Sequence, residues 1–282
     1  MQDAYFTAFD GPQWLHKLRS ALSIDDWLRR AARYLPDREL PTQIYLGSLK
    51  RPHYAMGLYT AALEAKALGL DRVSAVEFGV ASGHGLLNME ALARRIGGYF
   101  DIEIEVHGFD MGTGLPRPTD YRDVPYVFGE GDYMMDEAAL RAKLDGAKLW
   151  LGPVAENLPV MEGAAPVGFI SFDLDLYTST VDAMRIFDFA ESSRLPHVIC
   201  YFDDILAPDI ALYSQATGER LAIAEFNERN AGAKSLSPWS SLRYTKLRPA
   251  LWHAQMYIMQ DFRHPSYNAP LLPESRRQMG VV

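Results

Sequence analysis

From residue 73 onward, short apolar runs alternate with helical segments, and this alternation constrains the fold of the 282-residue chain more than any other feature. Val73–Phe78 reads as a strand and Leu86–Ile96 as a helix. Ile102–Phe109, Lys148–Leu151 and Val167–Phe172 read as a second, third and fourth strand. A helix from about Ser179 to Glu191 and a fifth strand, His197–Phe202, follow. Strands that alternate with helices build a parallel sheet covered on both faces. The fourth and fifth runs are apolar almost throughout, as strands buried on both faces are.

The flanks differ. Residues 12–34 place Trp14, Leu15, Leu18, Leu22, Trp27, Leu28 and Ala31 at helical spacing, and His53–Leu68 places Met56, Tyr59, Leu63 and Ala67 on one face. Residues 1–70 therefore read as an N-terminal helical appendage. Downstream, Gly218–Asn227 reads as a helix, and Ser241–Leu247 and His253–Phe262 as two strands. Arg248–Trp252, the link between those strands, is too short for a helical crossover, so they are expected to pair as an antiparallel hairpin. The Pro-rich tail from residue 265 reads as loop. The expected plan is a helical appendage (1–70), an α/β domain with a mostly parallel sheet (71–264) and a tail (265–282).

Composition narrows the function. Twenty-eight basic against 36 acidic residues give a net charge of −8, which argues against a nucleic-acid-coating protein. The single cysteine, Cys200, excludes an internal disulfide and multi-cysteine metal sites. Its apolar setting points to a buried structural thiol in a reducing compartment. The first residues lack the basic-then-apolar pattern of a leader, and no apolar run approaches the ~20 residues that span a bilayer. A cytoplasmic protein with no membrane partner is expected.

Chemistry concentrates after the first strand, in Glu77-Phe78-Gly79-Val80-Ala81-Ser82-Gly83-His84-Gly85. Parallel α/β sheets bind ligands at the carboxyl ends of their strands, where glycine permits tight turns and close approach of a ligand. A turn that merely joins two elements is the bland alternative. Asp110 ends the second strand 25 residues after Gly85, where a carboxylate can accept hydrogen bonds from both hydroxyls of a ribose. It also opens the turn Asp110-Met111-Gly112-Thr113-Gly114, and the two roles are compatible. No Gly-x-x-x-x-Gly-Lys-Ser/Thr occurs, and the turn carries no lysine or arginine. Nicotinamide or flavin dinucleotides, or a nucleoside without phosphate, remain.

Glu77-x-Gly79-x-x-x-Gly83-x-Gly85 resembles the first motif of the class I S-adenosylmethionine-dependent methyltransferases. The resemblance covers about residues 70–262. It implies a Rossmann-like seven-stranded sheet with one reversed strand and S-adenosylmethionine as cofactor. It places Glu77, Gly79 and Gly83 on the methionine part and Asp110 on the ribose, with Ala81, Ser82, Met111 and Asp173 also among the cofactor-binding residues. A narrower resemblance is to the macrocin O-methyltransferase (TylF-like) family. It rests on Gly108-Phe109-Asp110 with Gly114-Leu115-Pro116, on Asn157-Leu158-Pro159, on Asp173-Leu174-Asp175-Leu176-Tyr177-Thr178-Ser179-Thr180 and on Asp203-Asp204. His84, where relatives often have a small residue, and Ile205, where they have tyrosine and glycine, depart from it.

Asp173 and Asp175 follow the fourth strand, and Asp203 and Asp204 the fifth. Neighbouring strands would gather all four on one rim, where like charges repel unless offset. A divalent cation such as magnesium could offset them, fix an acceptor hydroxyl and lower its pKa. Helix capping by Asp175, Thr178 or Ser179, and loop organisation by Asp203 or Asp204, compete with that reading. The TylF-like resemblance matches Asp173, Asp203 and Asp204 to metal-binding positions, and Asp173 is the candidate base.

Other candidates are weaker. The seven histidines form no His-Glu-x-x-His; His84 could line the pocket or face solvent, and His264 could reach the acceptor or lie in a surface loop. Arg51 or Tyr54 could take the cofactor carboxylate. Tyr213, Trp239 and Trp252 fall in the variable region of the acceptor side. A short-chain dehydrogenase shares the turn spacing, but none of the 15 tyrosines has lysine four residues later. A non-catalytic scaffold that binds S-adenosylmethionine is the other alternative. The expected activity is O-methylation of a small-molecule hydroxyl, of a sugar or natural product. Apolar N-terminal helices suit self-association or packing on the same chain equally.

Overall fold

The computed structural model describes residues 24–206, 214–242 and 250–271. Three helices come first: α1 (Ile24–Ala32), α2 (Leu40–Leu46) and α3 (Pro52–Ala67). Then follow β1 (Arg72–Phe78), α4 (His84–Phe100), β2 (Glu103–Asp110), α5 (Glu137–Arg141), β3 (Lys148–Leu151), α6 (Val154–Asn157), β4 (Val167–Phe172), α7 (Tyr177–Met184) and β5 (Arg194–Phe202). The chain continues through α8 (Gly218–Arg229), β6 (Lys234–Pro238), α9 (Trp252–Gln255) and β7 (Met256–Asp261).

All seven strands join one sheet in the order β3-β2-β1-β4-β5-β7-β6. Strands β1 to β5 pair in parallel, and β7 runs antiparallel to both β5 and β6. This is the expected sheet with one reversed strand. Strand order reverses between β1 and β4, which opens a crevice at their carboxyl ends.

Side-chain alternation divides the core in two. Val73, Ala75, Phe169, Ile199 and Tyr201 face α3 and α4, whereas Val76, Phe78, Ile170, Phe172, Cys200 and Phe202 face α7 and α8. Every residue of β4 is buried, as its unbroken apolar run requires. Helix α3 lies close on β4 because both supply glycine at the contact. A Cβ on Gly57 would fall 2.2 Å from the Phe169 ring, and one on Gly168 would fall 2.7 Å from Ala61 Cβ. The reversed strand is anchored by a buried ion pair. Arg194, at the start of β5, donates through Nε to Asp261 Oδ2 at the end of β7 over 3.1 Å. Cys200 is buried, and burial raises its thiol pKa, as for a structural thiol.

Three elements depart from expectation; the last strand begins at Met256 and not His253, because Trp252–Gln255 form α9. The antiparallel partner of β7 is β6, not Ser241–Leu247. Beyond the end of β6, Ser241 lies in a turn and Leu242 is helical, and residues 243–249 lie outside the described residues. In Lys234-Ser235-Leu236-Ser237-Pro238 only Leu236 is buried, so this edge strand carries little apolar signal. The helix expected to reach Glu191 ends at Met184 and tightens into a 3-10 turn at Arg185–Asp188. That turn buries Ile186 and Phe187, which preserves the apolar pattern without the α-helix. Of the first expected helix, residues 24–34 lie among the described residues, and Ile24–Ala32 is helical. Residues 265–271 form turns without helix or strand, and 272–282 lie outside the described residues. No described helix is long and apolar enough to cross a membrane.

Candidate functional site

A cavity of about 1020 Å³ opens at the carboxyl ends of β1, β2, β4 and β5. Seven of the eight residues expected at a cofactor line it: Glu77, Gly79, Ala81, Ser82, Asp110, Met111 and Asp173. The eighth, Gly83, is turned away from the cavity and packed against α5.

Glu77 ends β1 and is buried. Its Oε1 accepts a hydrogen bond from Tyr54 Oη at 2.5 Å, and Tyr54 Oη in turn accepts one from Ser171 Oγ at 3.1 Å. Its Oε2 is buried with no hydrogen-bond partner. Burial raises the Glu77 pKa to about 8, against the lowering effects of the Tyr54 hydrogen bond and the Arg51 charge.

The turn after Glu77 is fixed by Asp110, whose Oδ2 accepts from the amides of Val80 and Ala81, each at 2.8 Å. Asp110 Oδ1 accepts from the Gly112 amide at 2.6 Å and keeps further acceptor capacity. The glycines have reasons internal to the protein. Gly79 has φ 83°, and a Cβ there would fall 1.7 Å from the Asp173 carbonyl oxygen; Gly83 has φ 79°, and its Cβ would fall 2.2 Å from Leu140 Cδ1. A Cβ on Gly85 would fall 1.8 Å from Glu77 Oε1. The turn is therefore shaped by what β4, α5 and Glu77 allow, and its open side is the cavity.

Asp173, Asp175, Asp203 and Asp204 all line the cavity, as the adjacency of β4 and β5 requires. Asp173 is displaced well upward in pKa by burial and then by Asp203, Asp204 and Glu77; Asp204 is displaced likewise by burial, Asp175 and Asp203. Asp175 rises to about 7. Protein donors engage the rim. Tyr201 Oη donates to Asp203 Oδ1, the Asp175 amide donates to Asp204 Oδ2 at 2.9 Å, and the Asp204 amide donates to Glu219 Oε2 at 2.9 Å. Among the described residues, no three His, Cys, Asp or Glu side chains are disposed to hold a metal ion. The expected magnesium set of Asp173, Asp203 and Asp204 shares a rim, but Asp203 and Asp204 each commit an oxygen to a neighbouring protein donor.

The expected caps are also corrected. Helix α7 has no side-chain cap from Leu176, the residue before it. Asp123 caps it from the β2–β3 connection, accepting at Oδ1 from the Thr178 amide at 2.9 Å and hydroxyl at 3.0 Å. Asp175 instead sits in the left-handed region with φ 61° and faces the cavity.

Leu115, Tyr126, Val127, Phe128, Tyr133 and Leu206 also line the cavity, and of these the sequence pointed only to Leu115. The Gly114–Pro116 turn is held there by Leu115 N–H to Asp132 O at 2.8 Å and Gly131 N–H to Leu115 O at 2.9 Å. His84 lines the cavity and shares a 2.7 Å hydrogen bond with Ser82 Oγ. His264 lies elsewhere. Because β7 is reversed, the residues after it fall at the amino ends of the parallel strands, and His264 Nε2 meets Glu191 O at 3.1 Å. Trp239 and Trp252 pack on the core beside α3, and Tyr213 lies outside the described residues. Of the pair Arg51 and Tyr54, Arg51 lines the cavity and Tyr54 is buried behind Glu77.

No protein-family model matches the chain, and the search of curated proteins returns no match. Solved structures do. The O-methyltransferase NovP is similar at 14% identity, over 86% of this chain and 100% of NovP, with a TM-score of 0.52. The calicheamicin methyltransferase CalS11 shares 22% identity over 84% of this chain and 93% of its own, with a TM-score of 0.49. TomG, an O-methyltransferase from Streptomyces achromogenes, shares 12% over 73% and 85%, with a TM-score of 0.39. The full-length likeness to NovP agrees with the strand order, the single reversed strand and the strand–glycine turn–helix at the switch point: this chain has the fold of the class I S-adenosylmethionine-dependent methyltransferases.

Proposed function

We propose that the protein transfers a methyl group from S-adenosylmethionine to a hydroxyl of a small molecule, in the manner of the TylF-like O-methyltransferases. One observation carries the reading: a buried glutamate with an unpartnered carboxylate oxygen stands beside a glycine turn at the β1/β4 switch point. An uncompensated buried oxygen calls for a donor from a ligand, and an ammonium at Glu77 Oε2 supplies one. Asp110, with acceptor capacity left on Oδ1, suits ribose hydroxyls. None of the 15 tyrosines has lysine four residues later, which disfavours the dehydrogenase alternative. NovP, CalS11 and TomG are methyltransferases by name, which agrees with this choice. A natural-product or sugar hydroxyl as acceptor rests on the same names.

When bound, S-adenosylmethionine supplies a methyl carbon on a sulfonium, whose sulfur leaves as a neutral thioether. The protein's part is to align the acceptor and to accept one proton. We assign the second role to Asp173, which follows β4 and lines the cavity; its raised pKa makes the ionised form a strong base. Leu115, Phe128, Tyr133 and Leu206, which also line the cavity, would contact the acceptor. We assign the proton acceptor to Asp173, which stands on the same cavity rim as Asp203 and Asp204.

Calorimetric titration with S-adenosylhomocysteine, followed by transfer of an isotopically labelled methyl group to a panel of glycosides and phenols, tests the reading. Binding with transfer is the expected result. No binding would end the methyltransferase assignment, and binding without transfer to any acceptor would favour a scaffold.

A further inference from the structure

Tyr133 follows a backbone clasp beside the cavity. The Leu115 amide donates to the Asp132 carbonyl oxygen at 2.8 Å, and the Gly131 amide donates to the Leu115 carbonyl oxygen at 2.9 Å. The Asp132 carboxylate closes the turn from within, accepting from the Gly129 amide at 2.7 Å. A Cβ on Gly114 would fall 2.5 Å from the Gly131 carbonyl oxygen, so the two segments touch backbone to backbone. Tyr133 leaves this clasp with φ 63°, a left-handed conformation that is an outlier for a bulky aromatic residue. Strain of this kind persists where the surroundings over-determine it, and it clusters at functional sites.

Other residues with positive φ have reasons inside the protein. Val124, with φ 53°, packs with Phe128 and Leu176 in a small core, and Asp101, with φ 52°, ends α4. Tyr133 has no such reason. Its side chain makes no hydrogen bond and no ring contact with any described residue, and Tyr133 is 58% exposed. Yet it lines the cavity. After partial burial, the charge of Asp175 acts most on its hydroxyl, followed by Asp204, Asp132 and Asp173. The tyrosine therefore stands by the rim that follows β4 and β5, where the candidate base Asp173 lies. An aromatic face that the protein leaves uncovered in a ligand cavity is open to a ring of the ligand.

On the methyltransferase reading above, we infer that Tyr133 is a specificity-determining residue of the acceptor site, its ring face seating a ring of the acceptor beside Asp173. The clasp of Leu115, Gly131 and Asp132 fixes that platform in place, and the strain at Tyr133 is retained for recognition and not for folding.

The experiment uses the full chain loaded with S-adenosylhomocysteine. The probes are methyl β-D-glucopyranoside, methyl α-L-rhamnopyranoside, phenol and catechol, with glycerol as the ring-free control. Binding is read by saturation-transfer NMR, and methyl transfer to any probe that binds is then followed with labelled S-adenosylmethionine. At least one ring probe should bind the wild type more tightly than glycerol does, and whether it is a pyranoside or a phenol identifies the ring. Tyr133→Leu and Tyr133→Gly are expected to weaken that probe by roughly 10- to 50-fold, as a rise in KM more than a fall in kcat. Tyr133→Phe and Tyr133→Trp keep an aromatic face and should stay within about three-fold of wild type. S-adenosylhomocysteine affinity should stay within about two-fold in all four. Tyr133→Gly suits the left-handed backbone and should melt no lower than wild type. If Tyr133→Leu and Tyr133→Gly bind the ring probe as wild type does, or if Tyr133→Gly lowers both Tm and S-adenosylhomocysteine affinity, the platform is overturned and Tyr133 is a surface or structural residue. If wild type binds S-adenosylhomocysteine but no ring probe, the platform is overturned while the cofactor reading stands. If wild type does not bind S-adenosylhomocysteine, the methyltransferase reading itself fails.

Discussion

Asp123 Oδ1 accepts both the amide and the hydroxyl of Thr178, at 2.9 and 3.0 Å, while its Oδ2 accepts both the amide and the hydroxyl of Thr119, at 2.8 and 2.9 Å. One buried carboxylate therefore caps α7 and closes the loop that carries Tyr126 and Tyr133 over the cavity. Asp123→Ala leaves four donors without their acceptor and is expected to cost about 2–4 kcal/mol. Asp123→Asn should cost nearly as much, because its amide nitrogen would face N–H and O–H donors. Urea unfolding checks both. A loss below ~1 kcal/mol would show that water replaces the aspartate adequately.

Gly79 and Gly83 should respond differently to alanine. At Gly79 the obstacle is the Asp173 backbone carbonyl, which cannot yield without moving the end of β4. Gly79→Ala is therefore expected to destabilise the protein and to abolish binding of S-adenosylhomocysteine. At Gly83 the obstacle is the Leu140 side chain, so Gly83→Ala combined with Leu140→Ala should recover the steric part. It would keep a backbone penalty of about 1 kcal/mol for the positive φ. Thermal melts and titrations of the four variants, including Leu140→Ala alone, separate the two. Equal rescue at both sites, on pairing Gly79→Ala with Leu140→Ala as well, would contradict this account.

The strands were legible because burial on both faces writes itself as apolar runs. Lys148–Leu151 and Val167–Phe172 match their sequence-derived bounds, and the turn from Glu77 to Gly85 announced the cavity. What was not legible depends on distance along the chain. Asp123 caps a helix 55 residues away, and nothing near Thr178 signals it. Strand β6 escaped because an edge strand with one buried residue has no period to read. Tyr54 looked like a possible ligand contact, yet its hydroxyl is spent on Glu77, 23 residues on. The four rim aspartates were grouped correctly, but how each oxygen is used depends on Tyr201, Glu219 and the Asp175 backbone, which only the fold brings together.

Glu77 should make stability depend on pH. Tyr54, Arg51, Asp110 and Asp173 are the charged or titratable groups that act on it, and burial dominates, raising its pKa from 4.5 to about 8. Between those values the folded state holds a proton that the unfolded state has lost. Stability from this group is thus fully present below pH ~4.5 and is lost as pH rises toward ~8, by up to roughly 5 kcal/mol. Glu77→Gln removes the titration, so its stability relative to wild type should rise across that interval. A bound ammonium reverses the preference. S-adenosylhomocysteine affinity of the wild type should therefore increase with pH up to about 8, with proton release seen as buffer-dependent heat. A flat difference between wild type and Glu77→Gln would refute the buried titration.

Asp173→Asn separates base from scaffold. Burial and the charges of Asp203, Asp204 and Glu77 already favour the protonated form, so a neutral amide of the same shape should keep or raise stability at pH 8. S-adenosylhomocysteine affinity should change only a few-fold, about 1 kcal/mol or less, since the Asp173 backbone rather than its carboxylate abuts Gly79. Turnover should fall by about 10²- to 10⁴-fold, because no group replaces the proton acceptor. The pH profile of the wild type should show a limb of increasing rate as Asp173 ionises, and that limb should vanish in the variant. If turnover survives within ten-fold, another residue takes the proton. Asp203, at the end of the adjacent strand and bonded by Tyr201, is then the next to replace.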